Sequence, residues 1–109
     1  MAQVLFFGDW ERVKDLQNQF MRKVDTYGFI RKGEVKEALT EIDSQRPPVM
    51  IVIDEKVSFG DRKQIQDAAE AAEPKIKTTI IDCLDAAQRQ HFIQRLKGEK
   101  PDAEAVEEN

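Results

Sequence analysis

Apolar positions along this chain fall into two kinds of segment that alternate: short unbroken runs and longer stretches at helical spacing. Three runs stand out: Val4, Leu5, Phe6 and Phe7; then Val49 to Ile53; then Ile76 to Ile81, which is broken by Lys77, Thr78 and Thr79. The first two are continuous rather than alternating, as expected of strands covered on both faces by helices. Tyr27, Gly28, Phe29 and Ile30 form a shorter fourth candidate, expected at a sheet edge. Between the runs the period changes. Trp10, Val13, Leu16, Phe20, Met21 and Val24 recur every three or four residues behind Asp9, a residue suited to open a helix. Val35, Ala38, Leu39 and Ile42 repeat the pattern after Gly33, and Pro47 and Pro48 stop it. Ile65, Ala68, Ala69 and Ala72 make a third helix with a small buried face, with Asp61 as its expected cap and Pro74 beyond its end. The last helix starts at Asp85, carries Ala86, Phe92, Ile93 and Leu96, and ends at Gly98.

A strand followed by a helix, four times over, implies right-handed crossovers and a mainly parallel sheet. The expected fold is a single three-layer α/β domain with four strands, a fifth being left open. At 109 residues there is room for one core. That domain is expected over residues 1–98. Residues 99–109 hold Val106 as their one branched apolar side chain among several acids, and are expected to form a disordered acidic tail.

Charge narrows the function classes. The net charge is −4, and Lys and Arg are interspersed with Asp and Glu along every amphipathic segment, so no basic face is offered to a nucleic acid. No apolar run approaches the roughly 20 residues of a membrane span. The opening Met1-Ala2-Gln3 places no basic group before the first run, unlike a secretory signal. The single cysteine, Cys83, rules out an intrachain disulfide and a multi-cysteine metal cage. A cytoplasmic location is expected.

In an open parallel sheet, ligands bind beyond the carboxyl ends of the strands, where the strand order reverses. The residues placed there are Gly8, Asp9 and Glu11 after the first run, Asp54, Glu55 and Lys56 after the second, and Asp82 and Cys83 after the third. Asp9 and Asp54 become neighbours if their strands pair at the centre of the sheet. Carboxylates converging there, Asp9 and Asp54 with Glu11 as a weaker third, would suit Mg²⁺, a hard cation that takes oxygen ligands. The plainer role for Asp9 is a helix cap, whereas Asp54 points more towards function. Trp10 either covers this cluster or, the favoured expectation, packs as the start of the first helix's apolar face. His91 is expected at the surface, and Cys83 as a small core residue with no histidine close in sequence to activate it. Neither Gly8 nor Gly60 belongs to a phosphate-cradling loop.

The stretch Lys32-Gly33-Glu34-Val35-Lys36-Glu37-Ala38-Leu39, followed by Arg46-Pro47-Pro48 and the run ending Ile53-Asp54, resembles the middle of a response-regulator receiver domain. The similarity covers roughly residues 3 to 83. It implies a flavodoxin-like, receiver-like topology, with Asp54 at the phosphoacceptor position, Gly8 and Asp9 at the acidic Mg²⁺ pocket, and Gly60 echoing a loop glycine. The departures are substantial. A working receiver has two adjacent acids after the first strand, where this chain has Gly8 and Asp9. It has Ser or Thr after the fourth strand, where this chain has Asp82 and Cys83. It also has a Lys after a fifth strand, and the nearest here is Lys100 with no convincing strand before it. A carboxylate at Asp82 would repel a phosphoryl group on Asp54.

Taken together, these residues suggest a signalling or protein-interaction module, a pseudo-receiver of the two-component type whose phosphorylation is lost or altered. It would act through a homodimer or another protein partner. With four strands the last one has an open edge, and Ile76, Thr78, Ile80 and Phe92 are the candidate interface. Two alternatives stand beside it: a live receiver phosphorylated on Asp54 with Mg²⁺, and a small structural or regulatory subunit of a larger assembly. The second resembles the regulatory stalk subunit of rotary ATPases but lacks that subunit's glycine-rich sequence. An enzyme in the ordinary sense is not expected, because no nucleophile-base pair, cofactor fingerprint or metal-ligand spacing is found.

Overall fold

The computed structural model describes residues 1–98. The acidic tail expected over 99–109, and Lys100 with it, lie outside the described residues. Four strands alternate with four helices: β1 (Gln3–Phe7), α1 (Trp10–Lys23), β2 (Gly28–Lys32), α2 (Val35–Ile42), β3 (Met50–Asp54), α3 (Phe59–Ala71), β4 (Lys77–Ile81) and α4 (Ala86–Lys97). All pairings are parallel, in the order β2-β1-β3-β4. The molecule is thus a three-layer α/β domain of flavodoxin-like topology, with four strands among the described residues.

Successive side chains of a strand point to opposite faces, and the two central strands feed a separate core on each side. Val4, Phe6, Met50 and Val52 face α1 and α4, where Phe20 and Phe92 close edge-on over Phe6 with ring centroids 5.2 and 6.4 Å away. Leu5, Phe7, Ile51 and Ile53 face α2 and α3, against Ala38, Ile42, Ile65 and Ala69. The small side chains of α3 let it lie close to the sheet, as the alanine-rich spacing predicts.

Right-handed crossovers dictate which face each connecting helix covers. The step from β1 outward to β2 places α1 on one face, and the steps towards β3 and β4 place α2 and α3 on the other. After β4, α4 folds back beside α1.

Four local expectations are corrected. The edge candidate at Tyr27 is a full strand, Gly28–Lys32, two residues longer at its end than the apolar pattern showed. Met21 lies outside the buried stripe of α1 and is 57% exposed. Asp61 does not cap α3. Ser58 does, its hydroxyl accepting from the Asp61 amide at 3.2 Å. Gly60 sits in the first turn of that helix rather than in a loop.

Candidate functional site

Parallel pairing of β1 with β3 in the register Phe7 to Ile53 brings Gly8 directly against Asp54. A Cβ on Gly8 would lie 3.0 Å from the Asp54 Cβ and 3.3 Å from Val13, so only glycine lets the two strand ends approach this closely. Asp54 therefore ends a fully buried strand and is itself 1% exposed, the sole buried charged residue among those described. Burying a carboxylate is costly unless it is paired and hydrogen-bonded.

Both of its oxygens are engaged. Oδ2 accepts from Arg12 Nε at 2.5 Å and from the Lys56 amide at 3.1 Å, and Oδ1 accepts from the Cys83 amide at 3.0 Å. Arg12 reaches from the first turn of α1, and its Nη2 donates to Asp82 Oδ1 at 2.9 Å. One guanidinium thus joins the ends of β3 and β4 to the start of α1. Burial pushes the Asp54 carboxyl up, but the Arg12 bond, the amides of Cys83 and Lys56 and the Cys83 thiol outweigh it and hold the group below its ordinary value. Burial, followed by the neighbouring Asp54 charge, pushes the Cys83 thiol well up, so it stays protonated and inert.

The expected metal cluster does not assemble. Asp9 is exposed at the N-cap of α1, where its carbonyl accepts from the Arg12 and Val13 amides while its carboxylate makes no cap bond. Glu11 is exposed and turns to Lys14, 2.9 Å away. Asp9 and Asp54 do line one crevice of about 250 Å³ together with Arg12, Lys56 and Ser58. Among the described residues no group of three or more His, Cys, Asp or Glu is arranged to hold a metal ion. Because the Asp54 oxygens are taken by a guanidinium and two amides, these residues do not fit a Mg²⁺ ion.

Arg12 is the residue that the sequence pattern missed. A cation in the first turn of a helix opposes the helix dipole, and that misplacement was the signal that it answers a carboxylate elsewhere. Arg89 was missed too. It joins Gln19 of α1 at 2.6 Å to the Cys83 carbonyl at 3.0 Å, reinforcing the same corner. Trp10 neither covers Asp54 nor opens the apolar face. It is 41% exposed, with the Arg31 guanidinium 5.7 Å from its ring centroid. His91 is exposed, as expected.

At the other candidate site the four residues divide. Ile76 is buried against the α2 and α3 core, and Phe92 against the α1 and α4 core, so neither side chain is free to meet a partner. Thr78 is half-buried and Ile80 is 39% exposed, and both lie on the open edge strand.

No helix among the described residues is long and apolar enough to cross a membrane. No protein-family model matches the chain, and no curated protein matches it in sequence. Among solved structures it is similar to a de novo designed Rossmann-fold protein, at 12% identity and a TM-score of 0.58, over 91% of this chain and 100% of that one. That likeness speaks to the fold alone.

Proposed function

We propose that this chain is a phosphorylation-independent protein-interaction module on a receiver-like scaffold, acting in the cytoplasm through contacts with itself or with a protein partner, and not as an enzyme. One observation carries the proposal: the Asp54 carboxylate, at the position a receiver would phosphorylate, is closed off by Arg12 and by the Cys83 and Lys56 amides. Attack on a phosphodonor needs a free carboxylate oxygen and a cation to neutralise the incoming charge. Among the described residues the one cation in contact, Arg12, is spent on holding Asp54 and Asp82 together. Freeing Asp54 would leave a buried charge unpaired and two acids side by side. The same bonds tie α1 to the ends of β3 and β4 beneath the loops at that end of the sheet, as suits a scaffold for contacts.

The test is intact-mass spectrometry after incubation with acetyl phosphate, with and without Mg²⁺, on the wild type and Asp54→Asn. The expected result is an unchanged mass in every sample. A Mg²⁺-dependent gain of one phosphoryl group in the wild type, lost in Asp54→Asn, would establish a live receiver and overturn the proposal.

A further inference from the structure

The sheet has two open edges, and they are not alike. β2 carries Arg31 and Lys32, charges of the kind that keep an edge from pairing. β4 reads Lys77-Thr78-Thr79-Ile80-Ile81, with no charge after its first residue. Its backbone polarity follows from one bond: the Ile81 carbonyl accepts from the Glu55 amide at 2.9 Å, next to β3. In a parallel ladder alternate residues turn both backbone groups to the same neighbour. Lys77, Thr79 and Ile81 therefore face β3, while the N–H and C=O of Thr78 and Ile80 face outward.

On the α3 side this edge is flanked by a mixed surface with one large exposed aromatic ring. Gln64, Ala68, Ala71 and Ala72 line the grooves against α2, so Phe59, Arg62 and Gln66 run down the opposite flank of α3, towards β4. Phe59 is 71% exposed, and Leu84, in the turn after β4, is 51% exposed.

We infer that the β4 edge pairs antiparallel with β4 of a second copy, joining two sheets into one of eight strands across a twofold axis at Thr79. The inference rests on the proposed interaction role and names its partner. The strand is complementary to itself in one register. Thr78 exchanges both backbone bonds with Ile80 of the second copy, and Ile80 with its Thr78, so all outward groups of that stretch are satisfied. The two Thr79 residues then form the close, non-hydrogen-bonded pair, and Lys77 lies opposite Ile81, so no like charges meet. The ends match as well. Antiparallel pairing carries Lys77, which no ion pair engages among the described residues, towards the Asp82 and Asp85 turn of the second copy. A closed twofold contact of this kind also uses up the edge and leaves nothing to propagate.

The experiment is sedimentation velocity on the full chain across the micromolar range. Twice the chain mass is expected for the wild type and for Met21→Lys, a control on the exposed side of α1. Ile80→Lys, with unchanged circular dichroism, is expected at the chain mass. A second arm fixes the register and holds even if Ile80→Lys misfolds. Under mild oxidation Thr79→Cys should cross-link into a dimer, since non-hydrogen-bonded pairs place Cα atoms about 4.5 Å apart. Thr78→Cys and the wild type, whose Cys83 is buried, should not cross-link. A monomeric wild type, a folded Ile80→Lys that stays dimeric, or Thr79→Cys that does not cross-link would each overturn the inference. A monomer that also takes no phosphoryl group would sink the self-pairing alone and leave the phosphorylation-independent role standing. A phosphoryl adduct on Asp54 would sink that role whatever the oligomeric state.

Discussion

Arg12 and Asp54 divide the labour of one buried charge. The carboxylate has almost no water of its own, and the guanidinium, whose side chain is 19% exposed, keeps one edge wet while its fork spans two acids. Arg12→Ala should destabilise the fold by about 2 kcal/mol, less than the roughly 3–5 kcal/mol of a fully buried pair because water can reach the vacated space. Arg12→Lys should restore only part of the loss, since one ammonium cannot reproduce the fork. The pH dependence follows from the lowered Asp54 value. An unfolded Asp takes up its proton near pH 3.9, whereas the folded one holds out to lower pH. The contribution is therefore complete above about pH 4 and disappears as pH falls through the folded value. Urea unfolding from pH 6 down to 2 should show this acid limb in the wild type, and it should shrink in Asp54→Asn. Asp54 as the focus of the strand ends could be found in the sequence, because an acid closing an unbroken apolar run is conspicuous. What it does there could not, because its partners lie 42 and 29 positions away and two of its donors are backbone amides, which carry no side-chain signature.

Among the elements, α3 shows how capping and propensity act apart from packing. Ser58 is its working cap, and Ser58→Ala should cost about 1 kcal/mol. Gly60, with open space around a would-be Cβ, loses backbone entropy to no structural purpose, and Gly60→Ala should stabilise by about 0.5 kcal/mol. Thermal melts of both variants, expected to move in opposite directions, check the pair. The elements with buried faces, β1, β3 and α1, were legible from apolar spacing alone. β2 was half-legible, because its last residues, Arg31 and Lys32, owe their strand conformation to pairing with Phe6 and Phe7. The α3 cap was misplaced by three residues: Ser58 and Asp61 are both good capping residues, and the sequence does not say which of the two stands outside the helix.

Across the whole molecule, the strand-helix rhythm specified the parallel sheet, whereas its order, β2-β1-β3-β4, was implied only by the resemblance to a receiver domain. The face taken by α4 was not specified. That choice rests on Phe92, Ile93 and Leu96 finding the aromatic core around Phe6 and Phe20. It also distinguishes the two candidate contact residues that were buried, Ile76 and Phe92, from Thr78 and Ile80 at the edge: a residue near an open strand is available only if neither helix layer has claimed it.

The arginine that joins α1 to the ends of β3 and β4 has a consequence in time. Its bonds to Asp54 and Asp82 span 42 and 70 positions, so they form only once three strand-helix units have already been assembled. We expect a bond that needs three units in place to form after the barrier to folding and to break early in escape from the native state. Removing the guanidinium should therefore leave the rate of folding nearly unchanged and raise the rate of unfolding about thirtyfold, the kinetic equivalent of about 2 kcal/mol, in stopped-flow measurements of Arg12→Ala. On that outcome Arg12 governs how long the molecule stays folded, and an equal slowing of folding would place its bonds before the barrier instead.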